Sequence, residues 1–385
     1  MYIVQRVLNS LKNINPSIRA YVACLMLSSG RKNCAAMARS VDVSEKRLYR
    51  FLDESAANSQ EIAKQLLVLA QETRHKNTLR ALVVDPTAII KHYAQKMEKL
   101  CHDRAGCTKK VEKVLVPVYA SVTDKNVSIP LDLEFWLQEK ITGKKKYRSK
   151  VKITQDLIVA LKKSGLDFDY TALDGAFSTT DMFAFFKREA TKFIMRIAKS
   201  RVVKFNGISA QLKNHPALKL WRNQREKMIS AQLGEDTYFF TAHKRKARNG
   251  GWETVYIVSD MNLSAKGQVA AYNLRWPIEK MIRTTKQKFG ATQCQVISAS
   301  KQRAHILAGF FAYAILNVAE NDKQKNSVDA TVNTLREFYY DDLIDIIDDD
   351  GSGECTVNNV PIANKFQNSF QNLQHTCDQV SVLGT

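Results

Sequence analysis

The sequence predicts a mixed α/β (α+β) chain with a helical N-terminal domain and an inserted β-containing domain. Three observations carry this. Residues 1–78 show helical periodicity and no apolar–polar alternation. From Leu79 onward, short β-rich runs alternate with amphipathic helical stretches. An irregular segment follows, and helical periodicity then resumes at Ala265. A chain of 385 residues is long enough for two or three domains with a full-sized core.

Ala81–Val84 (ALVV) reads as a buried strand ending at Asp85-Pro86. Val114–Thr123 and Val127–Trp136 read as neighbouring strands joined through Asp124-Lys125-Asn126, a hairpin signal. Ile153–Lys163 has helical spacing and stops at Ser164-Gly165. Tyr170–Leu173 is a strand ending at Asp174-Gly175, Asp181–Arg188 a helix, and Phe193–Ile197 a strand. Three strands, helix, strand, helix, strand is the order of a ribonuclease-H-like core, a three-stranded meander extended by parallel strands. Residues 201–262 break this order. They hold strand runs at Tyr238–Thr241 and Glu253–Ser259, around a basic glycine turn spanning His243–Gly251. The expected division is therefore 1–78 helical, 79–200 first part of the core, 201–262 insertion, 263–340 second part of the core, and 341–385 acidic tail.

Charge points to the partner. The chain has 58 Lys and Arg against 38 Asp and Glu, a net charge of +20. Residues 341–385 hold eight acids and one base, so the positive excess is concentrated in residues 1–340. Nucleic acid is the commonest polyanion for such a chain. The longest apolar run, Ile306–Val318, has 13 residues, short of the ~20 that span a bilayer. Ala20–Ser28 behind Arg19 has the look of a signal peptide. Arg31 and Lys32 stand where a cleavage region is small and uncharged, which argues against secretion. Seven cysteines at irregular spacing suggest free thiols in a reducing cytoplasm. The cluster His92, Cys101, His102 and Cys107 lacks the paired spacing of a zinc site.

Two acids end core strands, Asp85 and Asp174, where a rigid sheet edge displays side chains. An aspartate after a strand more often makes a turn or caps a helix, and Asp260, after Tyr256-Ile-Val-Ser259, looks the same locally. A third element separates them. Tyr272, Arg275, Glu279 and Lys286 fit Y-x2-R-x3-E-x6-K, offsets that keep all four near one helix face. Pro277 offers an alternative, in which a new helix starts there and leaves Tyr272 and Arg275 on the preceding turn. Either way one acid is ringed by a phenol, two cations and the adjoining Trp276.

On these residues the chain resembles the DDE transposases of bacterial insertion sequences, of the insertion-sequence-four type with the Tyr-Arg-Glu-Lys signature. The resemblance covers roughly residues 30–320. It implies that Asp85 (in LVVDPT), Asp174 (in ALDGAFST) and Glu279 are both the catalytic residues and the metal ligands. The Asp174-Gly-Ala-Phe177 motif is looser than the family's better-known versions. Three carboxylates suit two Mg²⁺ ions, with Mn²⁺ as substitute. Tyr272, Arg275, Lys286 and Trp276 would contact DNA beside the cleaved end. The resemblance also implies a synaptic homodimer, terminal inverted repeats and target DNA as partners, and a prokaryotic, nucleoid-associated cytoplasmic protein.

Residues 33–53 have helix-turn-helix spacing. Ala35–Ala38 would form the first helix, Val41-Asp42-Val43 the turn, and Ser44 would cap the second, with Lys46, Arg47 and Arg50 on its outer face. Lys140–Lys152 holds seven bases and Lys244–Arg248 four, both suited to the DNA backbone. Trp252 is expected to pack in the insertion hairpin or to stack on a displaced base. The acidic stretch Asp341–Asp350 reads as a solvated linker. Two other functions compete: a metal-dependent nuclease without strand transfer, and a domesticated repressor that binds DNA without cutting it.

Overall fold

In the computed structural model, which describes Leu11 and residues 14–125, 127–247, 250–321 and 340–348, the chain begins with a helical bundle. Helix α1 is Pro16–Leu27; Pro16 occupies its first turn and the Asn15 carboxamide accepts the Ser17 and Ile18 amides. Ala20 to Leu27 are all buried, so the apolar run with the look of a signal peptide is a core helix. Helices α2 (Cys34–Val41), α3 (Glu45–Ala57) and α4 (Ser59–Glu72) follow without an intervening strand.

Three sheet strands then appear where the sequence placed them, β1 (Ala81–Pro86), β4 (Val111–Thr123) and β5 (Ser128–Trp136), and two short ones that the sequence reading did not include lie between β1 and β4: β2 (Ile89–Ile90) and β3 (Cys101–Arg104). In the β4–β5 turn the Asp124 carboxylate accepts the Val127 amide at 2.9 Å. After the short helix α5 (Glu139–Thr142), helix α6 (Lys150–Lys163) leads to β6 (Tyr170–Leu173), and α7 (Thr180–Arg188) leads to β7 (Phe193–Ile197). β4 pairs antiparallel with β5 and β1, β1 pairs parallel with β6, and β6 pairs parallel with β7. That order is a ribonuclease-H-like sheet.

Residues 201–262 hold five strands where the sequence showed two: β8 (Val202–Phe205), β9 (Ile208–Gln211), β10 (Glu226–Leu233), β11 (Asp236–Lys246) and β12 (Trp252–Ser259). They continue the same sheet, because β12 pairs antiparallel with β7. The basic turn is shorter than expected. His243 to Lys246 belong to β11, and Lys246 pairs with Trp252. Asn206 and Gly207, at φ 48° and 78°, turn β8 into β9; a two-residue turn with both φ positive has the twist of a tight hairpin.

Helices α8 (Ala265–Asn273), α9 (Pro277–Lys288) and α10 (Ala299–Asn321) complete the core. α10 is buried along Ala304–Leu316 against α1, α3, α4 and β5. Among the described residues no helix is long and apolar enough to cross a membrane. The stretch expected to be a solvated linker includes a helix, α11 (Tyr340–Asp348), whose Leu343 and Ile347 are buried and which packs on α1. An apolar residue every fourth position inside the aspartate run gives it a face to bury. Asp349 and Asp350 lie outside the described residues. The five described cysteines, 24, 34, 101, 107 and 294, are free.

His305 of α10 joins the helical bundle to the turn after α9. Its Nε2 hydrogen-bonds to the Gly290 carbonyl and its Nδ1 to the Tyr21 hydroxyl, both at 2.8 Å. Burial pushes its pKa down to about 4 from 6.5. The unfolded chain takes up this proton first, so the stability is complete above pH 6.5 and declines as the pH falls towards 4. Between pH 6.5 and 5 the loss is expected to be ~2 kcal/mol. Urea unfolding of the His305→Gln variant should show a pH dependence shallower by about that amount. Equal pH slopes in the two proteins would contradict it.

Candidate active site and nucleic-acid interface

The strand register brings the two aspartates together. Ala81 pairs with Tyr170 and Val83 with Ala172 in the parallel β1–β6 ladder, so Asp85 and Asp174 leave the same sheet edge from adjacent strands. Asp260 does not join them. Ser259 pairs with Ile194 near the start of β7, which puts Asp260 at the opposite edge. There its carboxylate accepts the Phe193 amide at 2.8 Å, a turn-making role.

Of the two arrangements open to Pro277, the chain adopts the second. Pro277 is the first residue of α9, Tyr272 lies near the end of α8, and Arg275 lies in the connection. Arg275 then sits between two acids. Its Nη2 donates to Glu279 Oε1 at 2.6 Å, and its Nη1 lies 3.7 Å from Asp85 Oδ2. The guanidinium also stacks on the rings of Trp276 and Tyr272, 5.0 and 5.9 Å from their centroids. Lys286, two turns further along α9, donates to Thr87 Oγ1 at 2.8 Å and the Ala88 carbonyl at 3.3 Å, just beyond Asp85.

Electrostatics report the same convergence. Burial pushes Asp85 up to about 7; Asp174 and Glu279 push the same way, while Arg275 and Lys286 oppose them. Burial lowers Lys286, partly offset by the Asp85 charge. Burial also opposes the charge on Arg275, but Tyr272, Glu279 and Asp85 outweigh it and hold the guanidinium more firmly protonated than usual. Tyr272 is buried, its phenol raised by burial, and its hydroxyl has no hydrogen-bond partner among the described residues.

Sequence reasoning missed Arg196 on β7. Its Cβ would lie 3.4 Å from a β-carbon added at Gly175, so it flanks the residue after Asp174, and its charge lowers the Tyr272 phenol. An arginine inside an otherwise apolar strand, FIMRI, was the available signal.

Three carboxylates, with no thiolate or imidazole among them, are the donor set of a hard divalent ion. Asp85, raised chiefly by burial, fits that role. Among the described residues no three acidic, histidine or cysteine side chains close on one point. Glu279 is turned onto Arg275.

The helix-turn-helix segment forms as two capped helices. Asn33 caps α2, Asp42 ends it in the left-handed conformation at φ 53°, and the Ser44 hydroxyl accepts the Arg47 amide. Lys46 is exposed and Arg50 half-buried over the Phe51 ring. Arg47 does not lie on the outer face. It is 4% exposed, and donates to Asp348 Oδ1 at 3.1 Å and the Ile347 carbonyl at 2.7 Å. It neighbours Leu48 on the side of α3 that faces the core, and α11 covers it.

In the basic run Lys140–Lys152, Arg148, Lys150 and Lys152 form ion pairs with Asp156, Asp103 and Asp156. Lys140 and Lys144–Lys146 are exposed. Of the second run, Lys244–Arg248, Arg245 pairs with Glu253, and Arg248 lies outside the described residues. Trp252 does not pack in the hairpin core: it is 55% exposed, beneath the Arg225 guanidinium. The His92–Cys107 cluster is dispersed, with Cys101 buried against the Val114 carbonyl, His92 beside Glu112 and Cys107 exposed.

A family model described as DDE superfamily endonuclease matches residues 11–219, more than half of the chain, and the chain belongs to that family. The matched span includes Asp85 and Asp174 and stops before Glu279. An endonuclease of this superfamily acts on DNA, and such nuclease domains generally use divalent metals. No curated protein matches the chain.

Arg47→Ala would remove the guanidinium that Asp348 accepts from. The expected cost is about 1–3 kcal/mol, towards the lower end because Asp348 is a third exposed. Hydrogen exchange across residues 340–348 should accelerate, whereas Lys46→Ala should change neither stability nor exchange. Unaltered exchange in α11 of the Arg47 variant would contradict this.

Proposed function

We propose that the chain is a DNA transposase of the insertion-sequence-four type, cutting element ends and joining them to target DNA. The observation that carries the reading is the position of Arg275, which links Glu279 of α9 to Asp85 of β1 beside Asp174. A buried cation holding acids from separate elements is not required by packing. It is what a phosphodiester site needs before its substrate and ions arrive.

Asp85, Asp174 and Glu279 would hold the divalent ions. When bound, these activate a water or 3′-hydroxyl and offset charge on the leaving oxygen. The chain's own residues do the rest. Arg275 hands Glu279 to the metal side and turns its fork to a phosphate, for which its planar donors are shaped. Lys286, fixed by Thr87 and Ala88, places a second cation beside Asp85. Tyr272 offers its hydroxyl, and Trp276, 43% exposed, offers a face for a base or sugar. The segment 33–53 would read terminal repeats, with Lys46 and Arg50 the candidates for contact and Arg47 acting through α11.

The same reading assigns residues 1–78 to DNA binding and 201–262 to an insertion within a catalytic core of residues 79–200 and 263–340. It also places two copies in the synaptic complex. A second reading, cleavage without joining, is favoured by the endonuclease description of the family. Strand-transfer products on a supercoiled target separate the two.

Asp85→Asn, Asp174→Asn and Glu279→Gln are each expected to lower Mg²⁺-dependent cleavage of element-end DNA by at least roughly a thousandfold, the scale seen when one member of a catalytic unit is removed. Binding to that DNA should persist. Single-turnover cleavage on pre-formed complexes is the measurement. Full activity in any one variant would remove that residue from the site.

A further inference from the structure

We infer that residues 91–113 form a second, sequence-neutral DNA-binding arm, which carries duplex backbone past the catalytic edge. This rests on the reading of the chain as an enzyme acting on DNA and extends it to a surface away from the helix-turn-helix.

The arm's position follows from register. β4 is 13 residues long, and Val118 faces Pro86 at the end of β1. Residues 111–115 of β4 therefore run on beyond the edge that bears Asp85. There they pair with β2 on one side and β3 on the other. Lys286 ties the base of this projection to the active site through Thr87 and Ala88, immediately before β2. Cys107 lies exposed in the β3–β4 turn.

The charge of the arm is unspent. Of its three acids Asp103 is neutralised by Lys150 at 2.6 Å, while Glu112 lies 3.6 Å from the His92 ring and Glu98 accepts the Ala299 amide at 2.7 Å. Lys96, Lys99, Arg104, Lys109 and Lys110 are exposed, and none of these side chains makes a hydrogen bond or ion pair among the described residues. A solvated face normally mixes both signs, whereas here five exposed bases stand against one exposed acid, Glu98. Tyr93, 98% exposed, adds a bare aromatic ring among the bases.

The arm also joins the basic run that follows β5. Gln138 donates to the His102 carbonyl at 2.5 Å and Lys150 reaches Asp103. Lys140 and Lys144–Lys146 thus continue the same positive surface, though they are distant from the arm in sequence. Several exposed lysines and arginines without acceptors of their own suit a polyanionic backbone more than a single small anion.

Cys107 supplies a local reporter. With the full chain and a duplex of unrelated sequence at low salt, iodoacetamide alkylation of Cys107, read by peptide mass spectrometry, should slow in proportion to DNA occupancy and recover at high salt. The triple variant Arg104→Ala, Lys109→Ala, Lys110→Ala should keep the wild-type unfolding midpoint. Its log–log salt slope for binding should fall by about 2.7, at ~0.9 for each phosphate no longer neutralised. The fall should be equal on duplexes of different sequence. Cys107 reactivity unaffected by saturating duplex would overturn the arm, as would an unchanged slope or a fall confined to element ends. An Asp85→Asn chain should protect Cys107 as the wild type does. If wild type and Asp85→Asn both protect Cys107 and neither cuts, the arm stands and the catalytic reading falls.

Discussion

Asp85 and Asp174 end adjacent parallel strands, and the burial of the Asp85 carboxylate there is the constraint around which that end of the sheet is arranged. Nothing in packing requires two acids there. A carboxylate withdrawn from water is costly unless a countercharge stands beside it. Arg275 answers part of it, 3.7 Å from Asp85 and 2.6 Å from Glu279. Burial still wins at Asp85, whose pKa stands at about 7. The site is therefore short of positive charge at the point where divalent ions would supply it.

The N-terminal helices and the sheet are fastened to one another through α9 and its following turn. Lys32, just ahead of α2, donates its amide to Gln293 at 2.6 Å, and Gly290 leaves no room for a β-carbon against the Lys32 side chain. His305 bridges Gly290 and Tyr21, and Lys91 donates to the Thr292 and Cys294 carbonyls. The turn that follows the glutamate helix is thus held from the side of the N-terminal helices and from the arm side. A shift of either would be felt at Glu279.

Legibility followed periodicity and charge. β1, β4 and β6 were readable because each is an apolar run closed by an aspartate, and β6 and β7 matched residue for residue. The acids were readable because a strand end is visible in sequence, but choosing Asp174 over Asp260 rested on resemblance. The register that sends Asp260 to the other edge is a tertiary fact. β10 was missed because Ser, Ala and Gln weaken its alternation, and β8–β9 although Asn206-Gly207 is a strong hairpin signal. Arg47 was misplaced because its partner lies 301 residues away, beyond any local pattern. The basic arm was hidden for the same reason: its two halves meet only through pairing at β3 and the ion pair of Lys150.

The central claim is that Asp85, Asp174 and Glu279 form one cation-binding centre, with Arg275 as its resident countercharge in the absence of metal. Mn²⁺ binding to the full chain, followed by electron paramagnetic resonance, tests it most directly. The expected result is Mn²⁺ binding that Mg²⁺ displaces and that Asp85→Asn, Asp174→Asn and Glu279→Gln each weaken. Mn²⁺ affinity unchanged in Glu279→Gln would contradict the claim, leaving Glu279 only a partner of Arg275.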